Sequence, residues 1–498
     1  MNLQQERREW FGNLKGDVLA GLVSSFAVIP EVVGFCIVAG ISPMMGLYAS
    51  FWLTVLMAFL GGRPAMISAA AGSMALVIVS LVRDHGPEYL MAATILCGVI
   101  MFILGVLGIG NLLKLIPNSV QIGFVDALAI LIFSSQLGNF EGESWSMYAL
   151  VALGIVIIYL FPRLTTAVPS TLVAVIVVTA IAILGDVHVR TIGDMGTITA
   201  ALPPFHIPSV PLNLDTLLII LPYSLSLAIV GLSETLLTSK VIDEMTDTQG
   251  DRNRECRGLG IANIVSGFFS GTCGCAMIGQ AIVNVNSGGR GRLSNFVSGS
   301  FLMVLIFLLN DLMVQIPLAA LVAVMITVSI STFDWGALGR LNKMPRTDAA
   351  VIIIVVAIVV ATNNLAYGVI VGLALTAIFF ALHMAKVSVS AKRTENETHY
   401  YIQGPVFFAS TEAIVSAFEY RDNGKDIFLD FSKAHLWDES GASALRKAVS
   451  QFERNGCQVC VTGLDESSEQ LLTKLYGGEI LIAAVQTQNG DVQAASAG

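Results

Sequence analysis

From Asp17 to Val387 the chain is one apolar stretch after another, separated by short polar or charged segments. Runs of about 20 apolar residues are long enough to cross a bilayer, and in hydrocarbon the backbone must hydrogen-bond to itself, so such runs become helices. The chain has 13% charged residues, against about 25% in soluble domains. This implies a polytopic α-helical membrane protein. Two stretches break the pattern. Gly271–Arg292, GTCGCAMIGQAIVNVNSGGRGR, opens on Gly271, Thr272 and Gly274 and leaves through Asn284, Asn286 and a Gly-Gly-Arg-Gly-Arg exit. It reads as a half-helix that starts in mid-membrane. Far upstream, Gly61-Gly62-Arg63-Pro64 leads into Ala65–Val82, a small-residue run broken at Gly72-Ser73. Short, Gly-interrupted segments in matching places of two halves point to a transporter's substrate site. Each half-helix N-terminus offers unpaired N–H groups and partial positive charge, so two of them facing each other make an anion site without Lys or Arg.

Taken in order, the chain gives a charged, amphipathic lead-in (1–16) and then fourteen segments. Seven precede a polar link, Gly185–Pro211: 17–40, 44–60, the broken 65–82, 89–109, 117–137, 145–161 and 166–184. Seven follow it: 212–242, 259–270, the broken 275–285, 293–309, 316–331, 348–361 and 366–387. The link has strand-like alternation (VHVRTI, TITAAL) and a proline-rich end. The third segment of each half is the broken one, the layout of an inverted repeat. Placing the N-terminus inside puts eighteen of the Lys and Arg residues before Thr394 on inner loops and ends, and only Arg83 and Arg190 outside. This positive-inside bias predicts both termini in the cytoplasm. Residues 1–13 are polar and the first apolar run is too long for a signal h-region, so no cleaved signal peptide is expected. The predicted domains are a membrane domain, 1–390 (halves 14–185 and 212–390), and a soluble domain, 398–484, ahead of a disordered tail, 485–498.

The last region changes character. From Ala391 onward nine Lys/Arg face fifteen Asp/Glu. VFFAS, DIFLDF and QVCVTGL read as strands, and ASALRKAVSQFERNG and SSEQLLTKLYG as helices, which together make a small α/β domain. Nothing suggests a nucleic-acid surface. Cys36 and Cys97 lie in spans, Cys273 and Cys275 in the broken segment, and Cys457 and Cys460 form a lone CxxC in a strand. A zinc site needs a second ligand pair and a redox motif a helix N-terminus, so no metal and no disulfide framework is expected. No nucleophile–base set or phosphate loop argues for an enzyme, and no cofactor is expected.

Charged side chains inside spans cost roughly 2.5–3.5 kcal/mol on insertion scales and default to function. Glu31 follows Pro30, which removes a helix hydrogen bond, and shares a small-residue face with Ser24, Ala27 and Gly34. Glu234 has Thr238 one turn on, and Asp126 is the third such acid. Such carboxyls suit proton or cation coupling, with Na⁺ at Glu234 and Thr238 as one form; the structural alternative is a carboxyl bonded to freed backbone. Gly72, Ser73 and Met74, with Cys275, Ala276 and Met277, are the expected half-helix tips, small where backbone must approach a ligand. Gln280 lies one turn inside the second half-helix. Phe26 and Tyr223 are aromatic candidates for the site wall, with core packing as the alternative.

GDVLAGLVSSFAVIPEVVGFCIVAGISPMMGLYASF resembles the first two spans of the SulP anion permeases. RGLGIANIVSGFFSG and AIVNVNSGGRGRLS resemble that family's spans 9 and 10, and DFSKAHLWDESGASAL the signature of a STAS domain. The resemblance implies a seven-plus-seven core-and-gate fold moving as an elevator in the cell (inner) membrane. It implies an anion between the ends of spans 3 and 10, flanked by spans 1 and 8, and a homodimer with cytoplasmic STAS domains that can take a cytosolic partner. It implies coupling roles for Glu31, Glu234 and Thr238, and matches Ser440 to the serine phosphorylated in anti-sigma-factor antagonists. Gln280 stands where many animal members carry a basic residue, which favours H⁺- or Na⁺-coupled uptake of sulfate, bicarbonate or a dicarboxylate over chloride–bicarbonate exchange. An exchanger or uniporter and an anion sensor signalling through STAS are the alternatives; a nucleobase symporter lacks the STAS signature.

Overall fold

The computed structural model describes residues 3–112, 117–165, 168–194, 201–211, 213–420 and 426–477. Contacts divide the chain into two compact units, Met1–Leu373 and Ala374–Gly498. The elements of the first are α1 (Leu3–Phe11), α2 (Leu14–Ala39), α3 (Pro43–Leu60), β1 (Ser68–Ala69), α4 (Gly72–His85), α5 (Pro87–Val106), α6 (Ile109–Leu112), α7 (Asn118–Leu137), α8 (Trp145–Leu160), α9 (Ser170–Leu184), α10 (Leu214–Thr246), α11 (Arg252–Phe268), β2 (Cys275–Ala276), α12 (Ile278–Asn286), α13 (Arg292–Val314), α14 (Leu318–Thr332), α15 (Trp335–Arg340), α16 (Arg346–Thr362) and α17 (Leu365–Met384), which runs into the second. Among the described residues eight helices are long and apolar enough to cross a membrane: α2, α3, α5, α7, α8, α10, α14 and α17.

Local chemistry sets the ends. Asn213 and Asp251 cap α10 and α11 by accepting from Thr216 N at 2.8 Å and Arg254 N at 2.9 Å. Gly40, with φ 69°, closes α2 in the left-handed region that glycine adopts without penalty. Pro30 does not end α2, which runs through it. Helix α11 begins at Arg252, a turn or more ahead of the expected span, so the Arg252–Arg257 cluster is helical rather than loop. Glycine lets α5 and α11 touch: a Cβ on Gly98 would lie 2.5 Å from the Gly260 carbonyl oxygen. The expected strands of the link do not form among the described residues; residues 201–211 have no regular structure, and Thr191 makes a single bridge to Pro317. TITAAL lies largely outside the described residues.

The second unit continues with β3 (Ser388–Arg393), β4 (Glu397–Val406), α18 (Thr411–Ala417), β5 (Asp426–Leu436), α19 (Glu439–Arg454), β6 (Gln458–Thr462) and α20 (Glu466–Tyr476). The sheet order is β3-β4-β5-β6, antiparallel at β3/β4 and parallel elsewhere. Alternate residues of β4 and β5, including Tyr400, Ile402, Ile427, Leu429 and Phe431, bury against Leu445 and Phe452 of α19. VFFAS is not a strand. The strand ends at Val406, because Ser410 Oγ and Asp438 Oδ2 accept the Phe407 and Phe408 amides at 3.0 and 2.9 Å, turning the chain and leaving Phe408 64% exposed. The proposed tail, 485–498, lies outside the described residues.

Candidate functional site

The two broken segments meet. β1 pairs antiparallel with β2, Ser68 opposite Ala276 and Ala69 opposite Cys275, and Met277 N donates to Ile67 O at 3.0 Å. Non-helical backbone at membrane depth is tolerated only when buried protein groups satisfy it, and the sequence supplies those groups. Asn263 of α11 clasps Gly274, accepting its N–H at 2.9 Å and donating to its carbonyl at 3.0 Å. Asn284 of α12 donates to Ala65 O at 2.9 Å, and Asn295 of α13 to Met66 O at 2.9 Å. Thr54 donates to Ser68 O at 2.6 Å. At the approaches, Glu255 accepts from Gly62 N and Arg63 N at 2.6 and 2.8 Å, and Asp17 from Arg290 N and Gly291 N at 2.7 and 2.9 Å.

Two helix N-termini therefore converge. Gly72 and Ser73 of α4 and Ile278 and Gly279 of α12 line one cavity of about 130 Å³ with Glu31, Glu234, Met277 and the rings of Phe35 and Phe124. The first N–H groups of a helix have no partner within it, so the cavity receives the positive ends of both. Among the described residues no Lys or Arg lines it. The opposite wall comes from α7 and from Val328, Ser331 and Thr332 of α14.

Glu234 is buried against the tips. Ser73 Oγ donates to its Oε2, and so does Cys275 Sγ at 3.2 Å. Thr238 differs from expectation: its hydroxyl reaches the Glu234 main-chain carbonyl at 2.8 Å and the Ala276 carbonyl at 3.5 Å, not the carboxylate. Thr235, which sequence reasoning missed, accepts from Ala276 N at 3.1 Å. Gln280 Nε2 approaches Ala27 O at 3.5 Å, one turn before Glu31 on α2. Glu31 and Gly279 line a second cavity of about 730 Å³ as well, which Gln280, Asn286 and Ser287 share.

Other expected site residues lie elsewhere. Met74 turns from the cavity, against Gly231. Cys275 and Ala276 are strand residues on opposite faces, so Cys275 meets Glu234 while Ala276 packs with Ala65 and Met66. The second tip thus begins at Ile278, with Met277 as its cap. Phe26 packs edge-on against Phe301 at 5.7 Å and faces a different, apolar cavity. Phe35 is the span-1 aromatic at the site. Nine residues at 100° each put Phe26 and Phe35 on opposite sides of a helix, whereas Phe35 follows Glu31 by one turn. That spacing was available in the sequence. Tyr223 pairs with Ser80 at 3.1 Å away from the site. Asp126 accepts from Asp334 N at 2.8 Å, joining α7 to the end of α14. Ser440 lies in the first turn of α19, which Asp438 caps by accepting from Gly441 N at 2.9 Å. Among the described residues no three His, Cys, Asp or Glu side chains gather to hold a metal ion, and the seven cysteines, all buried, form no disulfide.

The chain matches the sulfate permease family over residues 14–152 and 144–355 and the STAS domain over 388–483. It is 53% identical over 470 residues to the putative sulfate transporter YbaR of Bacillus subtilis, covering 94% of this chain and 98% of that one. The transmembrane domain of a cyanobacterial bicarbonate transporter, BicA, superposes with TM-score 0.66 at 26% identity, covering 72% of this chain and 98% of that one. Murine Slc26a9 in its inward-facing state shares the fold, with TM-score 0.81 at 18% identity over 93% of this chain and 88% of that one. The match to the family over most of the membrane unit, the STAS domain behind it and a relative 53% identical along nearly the whole chain carry one conclusion: the chain belongs to the sulfate permease family, a family of transporters and not of enzymes.

Proposed function

We propose that this protein is a secondary active transporter that imports a small anion with H⁺ or Na⁺. The observation that carries this reading is the cavity between the tips of α4 and α12. Two helix N-termini supply positive potential there, and two carboxyl groups, Glu31 and Glu234, share the space without a basic residue among the described ones. Unit charges about 4 Å apart interact by ~4 kcal/mol at an effective dielectric of 20. An anion entering beside an ionised glutamate is therefore repelled unless the carboxyl takes up a proton or holds a cation. Entry of anion and cation are thereby linked. For Na⁺, the Thr238 hydroxyl with the Glu234 and Ala276 main-chain carbonyls is the oxygen-rich corner. Sulfate, bicarbonate and dicarboxylates are the substrate candidates; relatives named for sulfate and bicarbonate support the first two.

In this reading the membrane domain, 1–390, crosses fourteen times as two inverted repeats of seven, and the core that carries the tips moves against a gate as an elevator. Antiparallel pairing of the two broken segments supports the repeat, since a two-fold axis in the membrane plane relates such segments antiparallel. Glu31 and Gly279, shared by the 130 and 730 Å³ cavities, mark the path from the site. Both termini lie in the cytoplasm of the cell membrane, the chain works as a homodimer, and residues 398–484 form a STAS domain whose Ser440 face meets a cytosolic partner. Uptake of labelled sulfate, bicarbonate and fumarate into proteoliposomes, with an inward proton gradient, an inward Na⁺ gradient or neither, tests the proposal. One anion accumulates with one gradient, and Glu234→Gln or Glu31→Gln loses that dependence. Gradient-independent exchange in both variants and in wild type refutes coupling.

A further inference from the structure

Helix α2 serves two cavities with two faces. Ala27 and Glu31 look toward the transport path, while Phe26, Ile29, Pro30 and Val33, at helical spacings of three and four, look the other way. That second face forms one wall of a groove of about 420 Å³, closed by α9, the end of α13 and Leu321 of α14. Thr179 is the one polar side chain in its lining. The Thr179 hydroxyl is buried and finds no hydrogen-bond partner among the described residues. Water in such a groove has too few polar partners to be held, and an anion has none.

We propose that a lipid acyl chain occupies this groove. Three observations select that occupant. The lining is apolar but for the Thr179 hydroxyl, as hydrocarbon requires. The groove is continuous with surface that a spanning protein turns to lipid: Ile176, Ile183 and Leu184 of α9 line it and are 54%, 47% and 87% exposed. It is also recessed between helices, so a flexible single chain fills it where the flat face of a second copy spans its mouth. Methylenes packed against the apolar lining fill a void that forfeits dispersion contacts if left empty. Resting on the transport reading above, the consequence is mechanical. The acyl chain lies on the back of the helix that carries Glu31, so a shift of α2 against α9 must compress or expel it.

The test labels the groove without asking for transport. Full-length protein is reconstituted in phosphatidylcholine doped with a phosphatidylcholine carrying a mid-chain diazirine, irradiated, digested and mapped by mass spectrometry. The expected result is adducts on Ile29, Val175 and Thr179, which are almost inaccessible from the bilayer surface, besides those on Phe380, which is 64% exposed. Val175→Trp fills the groove and causes loss of the Ile29 and Thr179 adducts with the Phe380 adduct retained. Should that variant misfold, the wild-type map decides alone. Adducts confined to exposed side chains overturn the proposal. If groove labelling holds while uptake fails to couple to any gradient, the acyl site stands and the coupled-uptake reading falls.

Discussion

Asn263→Leu is the substitution that most directly tests how the tips are held. Asn263 is fully buried, and its amide makes a two-way clasp on Gly274, one residue before β2. Leucine keeps the branched shape, at a larger volume, but offers neither donor nor acceptor. The Gly274 N–H and carbonyl then stay buried without partners. Each orphaned group costs about 1–3 kcal/mol, so the expected loss is ~2–6 kcal/mol, a large share of a typical folding free energy. The damage is also directional, because Cys275, next in the chain, donates to Glu234. Thermal unfolding of the purified protein should show a marked drop in midpoint, and uptake at permissive temperature a raised KM for the anion. A variant that melts with the wild type and keeps its KM refutes the claim that this clasp positions β2 and the second tip.

Three other outcomes are expected. A Cβ on Gly72 would lie 2.5–2.9 Å from ring carbons of Phe35, so Gly72→Ala should raise KM severalfold at an overpacking cost of ~1–3 kcal/mol; adding Phe35→Leu should restore KM, and an unchanged KM in the single variant removes Phe35 from the site wall. Asp126→Asn keeps the acceptor for Asp334 N, so it should retain the gradient dependence that Glu234→Gln loses; loss of that dependence in uptake assays makes Asp126 a coupling residue. In the second unit, bonds from Ser468 and His435 hold the Asp465 carboxyl down at about 2. A depressed carboxylate adds stability above its unfolded value of about 3.9 that is lost as pH falls toward the folded value, so hydrogen-exchange protection in α20, corrected for the intrinsic exchange rate at each pH, should fall from pH 4 to pH 2 in the wild type and fall less in Asp465→Asn.

Much of the architecture was legible in the chain because bilayer physics leaves few options. Long apolar runs become helices, Gly-rich interruptions mark where helices cannot continue, and carboxylates inside spans stand out by their cost. Glu31, Gly72, Ser73 and Glu234 do line one cavity. VFFAS was misread because two side-chain acceptors, at Ser410 and Asp438, outbid strand pairing. The early start of α11 was missed because its first turns are charged, and apolar periodicity is blind to a helix that emerges from the hydrocarbon.

The sequence by itself determined the helical membrane class, the two broken segments, the α/β character of the C-terminal region and which acids to suspect. These follow from composition, run length and local spacing. Only the tertiary structure decided that β1 and β2 pair, since two-residue strands carry no periodic signal and lie some two hundred positions apart in the chain. It alone gave Asp126 a backbone amide across a helix pair, turned Thr238 toward carbonyls and set Phe35 rather than Phe26 at the site. Each of those outcomes depends on how one helix is rotated against another. That rotation is fixed by packing summed over many distant contacts, which no local stretch of sequence contains.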